Sequence, residues 1–138
     1  MATDVNQYLG NPNLKKANVP VEFTKEQIQE YQKCMDDPVY FIQEYMKIVS
    51  LDEGLVPFKM YDFQKTMVNT FHDNRFTICK LPRQSGKSTT IIAYLLHFVL
   101  FNPNVNVAIL ANKSSTARDI LGRLQLGYEH LPKWLQQV

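Results

Sequence analysis

Two short apolar segments, each followed by a loop and a helical stretch, constrain this chain more than any other feature. Residues 75–81 (RFTICKL) read as a buried strand, and 82–87 form a loop. A helix then runs from about Gly86 to Phe101 and contains the apolar run 91–101, with His97 inside it. After a turn at Asn102-Pro103-Asn104, residues 105–111 (VNVAILA) read as a second buried strand. The loop "NKSS" follows, with Ser114 or Ser115 capping a helix that runs through Leu121 and Leu124. Strands alternating with helices predict a parallel sheet with crossover helices. Such a sheet is covered on both faces and needs more than two strands. The expectation is therefore a fragment carrying the first part of an α/β core, or else a sheet completed by another chain.

The front half has a different pattern. Residues 1–23 are polar and rich in Asn and Pro, and read as an arm. Thr24 with Gln27 three residues on is a capping box that starts a helix. Asp37-Pro38 restarts the chain, with Asp as N-cap and Pro at the first helical position. Phe41, Tyr45 and Ile48 then share one face. Residues 50–59 read as a loop or short extended piece. Phe63, Met67 and Phe71, with Val68 beside them, mark an amphipathic helix ending at Asp73-Asn74. Leu131-Pro132-Lys133-Trp134 begins another short element. The expected organisation is an arm at 1–23, a helical lead-in at 24–56, and the beginning of a larger domain at 57–138.

Length and composition set the limits. The chain has 138 residues, enough for one small domain, with 45% apolar and 20% charged residues, as in a soluble globular protein. Its net charge is +2, too small to signal nucleic acid by itself. From Lys59 to Lys87, however, six basic residues face two acidic ones, a local excess suited to phosphate or to a solvated face. Cys34 and Cys79 match no metal or redox spacing and read as free thiols of a reducing compartment. The N-terminus has no apolar core of a signal peptide, and the run 91–101 is too short to span a bilayer. These features predict a cytoplasmic protein.

The chemistry concentrates in "LPRQSGKST", residues 81–89. A strand, a glycine-bearing loop and a helix form the context in which backbone N–H groups and a helix N-terminus cradle phosphate. The expected contacts run through Gln84, Ser85, Gly86, Lys87, Ser88 and Thr89. Gly86 permits close backbone approach, Lys87 reaches the β- and γ-phosphates, and Ser88 offers its hydroxyl to Mg²⁺. The pattern G-x-x-x-x-G-K-[ST] is met except at its first position, where Leu81 stands. Arg83 inside the loop could stabilise charge on a transferring phosphoryl group, or could be a solvent-facing arginine. Gln64 lies 23 residues before Lys87. Its amide has both a donor and an acceptor for adenine, although a lone glutamine on a helix is usually solvated.

Taken together, "YLGNPNLKKANV", "KCMDDPVYF", "YDFQ", "RQSGKST", "HFVLFN", "ILANKSS" and "HLPKWLQ" resemble, in order, the N-terminal part of the large terminase subunit of T4-like tailed bacteriophages. The resemblance implies a P-loop ATPase fold of the additional-strand (ASCE) type, a parallel sheet with flanking helices. It also implies an ATP- and Mg²⁺-dependent motor that packages double-stranded DNA into a capsid. Arg83 would be the arginine acting in cis, Lys87 the phosphate-binding lysine, Ser88 the metal-binding hydroxyl and Gln64 the adenine reader. Residues 112–115 would match a motif near DNA. The implied partners are the portal protein and the small terminase subunit, in a homo-oligomeric ring within the host cytoplasm, with no membrane. The family's second acidic motif and its C-terminal nuclease are not found by residue 138. The expectation is a piece that binds ATP but hydrolyses it poorly or not at all. A helicase-type translocase, a small-molecule kinase and a non-enzymatic ATP-binding module remain as alternatives.

Overall fold

The structure, a computed structural model, describes residues 7–136. Capping residues set its first two helices. Thr24 Oγ1 accepts from the Gln27 N–H at 3.2 Å, and Gln27 Oε1 accepts from the Thr24 N–H at 3.0 Å. This reciprocal pair satisfies two end donors and opens α1, Lys25–Asp36. Asp37 ends α1 and starts α2, Pro38–Tyr45, its carboxylate accepting from the Tyr40 N–H at 3.1 Å.

α2 stops earlier than its sequence pattern suggests. Ile48 was expected on the helical face, but Lys47–Ser50 forms β3, paired antiparallel with β4, Gly54–Pro57. Ile48 and Val49 are β-branched and favour a strand. Gly54 supplies the positive φ of +73° that the turn requires. A second hairpin lies where an arm was expected. Strands Gln7–Tyr8 (β1) and Asn11–Lys15 (β2) pair across Leu9 and Gly10, both at positive φ, as a two-residue turn requires. Residues 1–6 of that expected arm, and the last two residues of the chain, lie outside the described residues.

Three more helices complete the chain: α3 (Asp62–Asp73), α4 (Lys87–Phe101) and α5 (Ser114–Glu129). α3 and α4 keep close to their expected limits. α5 begins at Ser114 with Lys113 as N-cap and no side-chain cap, so neither serine caps it. Residues 131–136 form a turn rather than a further helix. α4 is apolar nearly all round and packs against α2, α3 and α5. Its Ile92, Ala93, Leu96 and Leu100 meet Phe41 and Ile42 of α2, Val68 of α3, and Leu131 and Leu135 in one buried cluster. Phe58 and Met60, just after β4, join the same cluster.

The expected parallel sheet is not formed among the described residues. Both strand pairs are antiparallel hairpins, and residues 75–81 and 105–111 pair with nothing. Phe76 is 84% exposed, Ile78 99% and Leu110 89%. The apolar runs were read correctly as apolar, but a strand exists only against a neighbouring backbone. α4 carries the chain from the first run to the second, and neither forms a strand. Phe63 is likewise outside the expected core stripe. It is 40% exposed, while Gln64, Met67 and Val68 are buried on the inner face of α3.

Candidate functional site

The loop ahead of α4 is shaped by two left-handed residues. Gln84 has φ +57° and Gly86 has φ +76°. Left-handed residues curl a loop so that successive N–H groups face a common concavity, which suits an anion. Gly86 is also the N-cap of the 15-residue α4, whose first unpaired N–H groups and positive dipole end lie at the same place.

Hydrogen bonds within the loop converge on one carbonyl. Pro82 O accepts from Ser85 Oγ at 3.0 Å and from Lys87 Nζ at 3.3 Å. The Lys87 ammonium is thus folded over its own loop, and its three donors allow it to keep that bond while meeting an anion. On the helix side, Gly86 O accepts from the Thr90 N–H at 3.0 Å and from Thr90 Oγ1 at 2.9 Å. Thr90 is fully buried, so it holds Gly86 from inside the core. The sequence reading missed both Thr90 and the Pro82 carbonyl. A threonine four positions after a loop glycine is a usable signal, because its hydroxyl readily bonds the i−4 carbonyl.

The remaining expected residues are distributed as follows. Arg83 and Ser88 are exposed, and Arg83 makes no side-chain hydrogen bond or ion pair among the described residues. Ser88 follows Lys87 at the open end of α4. Thr89 points elsewhere: it lines a groove with Met46, Ile48, Ile92 and Arg123. Asn112 and Lys113 are exposed ahead of α5.

Gln64 lies against the loop from the other side. It is 2% exposed, and its Oε1 accepts from the Tyr61 N–H at 2.9 Å at the start of α3. A Cβ placed on Gly86 would lie 2.7 Å from Gln64 Nε2. A side chain here would therefore collide with the amide as well as strain the backbone. Beside it, the rings of Tyr61 and Phe63 stack at 6.0 Å with 9° between planes, and both are exposed. Of the two free thiols, Cys79 is exposed just before the loop, while burial pushes the Cys34 thiol up to about 12. No cluster of acidic, His or Cys side chains able to hold a metal occurs among the described residues, and no helix among them is long and apolar enough to cross a membrane.

Residues 78–136 match the family described as terminase large subunit, T4likevirus-type, N-terminal. The match takes in the loop, α4 and α5, and it agrees with the resemblance carried by "RQSGKST", "ILANKSS" and "HLPKWLQ".

Proposed function

We propose that this chain, similar over residues 78–136 to T4-type terminase large subunits, is the ATP-binding portion of such a DNA-packaging subunit. The observation that carries the reading is the loop itself. A left-handed glycine opens a long helix with Lys87 folded over the turn. In this reading Gln84, Ser85 and Gly86 present backbone N–H groups to the phosphates of ATP, and Lys87 neutralises them. Mg²⁺, when bound, supplies charge neutralisation at the phosphate oxygens. Ser88, an exposed residue next to Lys87, would ligate it through its hydroxyl. Arg83, exposed and without a side-chain hydrogen bond or ion pair among the described residues, would fold over the terminal phosphate. Double-stranded DNA is the proposed cargo, with the portal protein and small terminase subunit as partners in a ring at the capsid, in the host cytoplasm. The family's nuclease activity belongs to this proposal only through the parent subunit.

The test separates binding from chemistry. Titration of Mg–ATP by calorimetry should show binding by the wild type. Loss of a charge-assisted contact in Lys87→Ala should weaken it by about tenfold or more, with the circular dichroism spectrum unchanged. Arg83→Ala should keep near-wild-type affinity. In a packaging motor that turns over ATP, it should lower the rate by about 10³-fold or more. Equal affinity of Lys87→Ala and wild type would sink the reading.

A further inference from the structure

Three aromatic rings converge on a pocket away from the phosphate loop. Phe23, just ahead of the Thr24 cap, meets Tyr31 of α1 edge-on at 6.3 Å. It meets Trp134, in the turn after α5, at 6.4 Å. With Lys15, Val21 and Ile28 these rings line a cavity of about 440 Å³. Tyr31 packs at 5.1 Å on Phe101, the last residue of α4, whereas the loop adjoins the first, Lys87. A helix of 15 residues is roughly 20 Å long, so the two places are distinct. We propose that this pocket is a separate ligand site for an aromatic monocarboxylate, a single ring carrying one carboxylate. The inference does not depend on what the loop binds.

Three observations carry it. First, the cavity has the size and lining of a ligand pocket. Such pockets run from about 300 to 1,000 Å³ and are mostly apolar and aromatic, with a few polar groups. Phe23 and Ile28 are exposed, so apolar surface is open to a guest. A guest ring can meet these walls edge-to-face or offset, as aromatic pairs prefer. Second, the walls are fixed from behind. Tyr31 rests on Phe101, and Trp134 on Tyr45 at 5.8 Å. The buried Gln136 accepts from the Lys15 N–H at 3.0 Å, which anchors the backbone that carries the lysine. A site whose walls are already ordered loses less entropy on binding. Third, the polarity is of one sign. Among the described residues Lys15 is the only charged one that lines the cavity. It is half-buried, and its ammonium has no hydrogen bond or ion pair among those residues. One unpaired cation at an apolar wall attracts one anion. It also repels a cationic guest, which the rings alone would favour.

Trp134 is the single tryptophan of the chain, so its fluorescence reads the pocket directly. Titration with 3-phenylpropionate should change that fluorescence saturably, and calorimetry should give the same affinity. The uncharged 3-phenylpropionamide should bind about two- to fivefold more weakly, and the cationic 3-phenylpropylamine more weakly still. Lys15→Gln keeps the backbone bond to Gln136. It should lower affinity for the acid about two- to fivefold and leave that for the amide unchanged. Phe23→Ala, which removes an exposed wall, should weaken acid and amide alike by about fivefold or more. An acetylated diglycyl-phenylalanine with a free carboxylate identifies the source of the ligand. Tighter binding than the free acid assigns a peptide C-terminus and weaker binding a small molecule, and either supports the site. The absence of a saturable response in both measurements overturns the proposal. So do equal affinities for acid and amide, tightest binding of the amine, or a Phe23→Ala variant that binds as the wild type does.

Discussion

His97 shows how one residue's setting fixes its chemistry. It sits in the apolar run of α4 and is 3% exposed. Its Nε2 donates to the Cys34 carbonyl at 2.9 Å, and the rings of Phe41, His72, Tyr94 and Phe101 surround it. Burial lowers its pKa from the ordinary 6.5, opposed in part by the Cys34 carbonyl and reinforced by His72. A depressed folded pKa means that the neutral ring is the form the fold accepts. Its contribution to stability is complete above 6.5 and is lost as pH falls through the lower folded value. Urea midpoints measured from pH 7.5 down to 5 should therefore drop in the wild type and drop less steeply in His97→Gln. Parallel slopes would assign the acid sensitivity to other groups. In the sequence His97 interrupts an apolar run and could be recognised as buried. Its partner Cys34 O is a backbone atom on another helix, and no side-chain pattern announces it. Gln64 is similar: the sequence marks it as an amide near a loop, but its burial and its bond to the Tyr61 N–H come from the packing of α3.

At the scale of elements, starts were legible and pairings were not. Thr24 with Gln27, Asp37 with Pro38, and Gly86 each mark a helix start by local chemistry, and each stands where that chemistry put it. The hairpins β1–β2 and β3–β4 depend on glycines at positive φ within segments read as arm and loop, where turns of two or three residues are easily overlooked. The apolar segments 75–81 and 105–111 were read as strands because hydrophobicity reports a need for burial and not the partner that meets it. Their exposure has a measurable result. Ile78→Ser should change stability by no more than about 0.5 kcal/mol, because a 99% exposed side chain has little packing to lose. The same change should lower self-association in sedimentation or light scattering, since extended apolar segments with unpaired backbone recruit other chains. A loss of several kcal/mol would show that Ile78 is buried in solution.

For the molecule as a whole, the decisive contacts are between distant parts of the chain. Gln136, 1% exposed, accepts from the Lys15 N–H at 3.0 Å through Oε1. Its Nε2 donates to Asn13 O at 2.8 Å and to Leu131 O at 3.2 Å. One amide thus ties hairpin β1–β2 to the turn after α5. Gln136→Ala removes the partner of the buried Leu131 carbonyl and of the part-buried Lys15 N–H and Asn13 carbonyl, and should cost roughly 1–3 kcal/mol in chemical denaturation. Residues 7–15 should also become the first site of limited proteolysis. If cleavage begins elsewhere and stability is unchanged, the hairpin is held by other contacts. No local rule pairs residue 136 with residues 13 and 15, so this join was invisible in the sequence.

α4 has a mechanical consequence. Its first residue, Lys87, follows the loop directly, while its later turns are wedged among α2, α3 and α5. Gly127 of α5 allows that wedge to be tight: a Cβ there would lie 2.7 Å from Met46 Cε and 3.3 Å from Leu96 Cδ2. The helix that leaves the loop is thus braced along its length by three other helices, so a force applied at its first residue would act on the packed interior and not on an isolated helix.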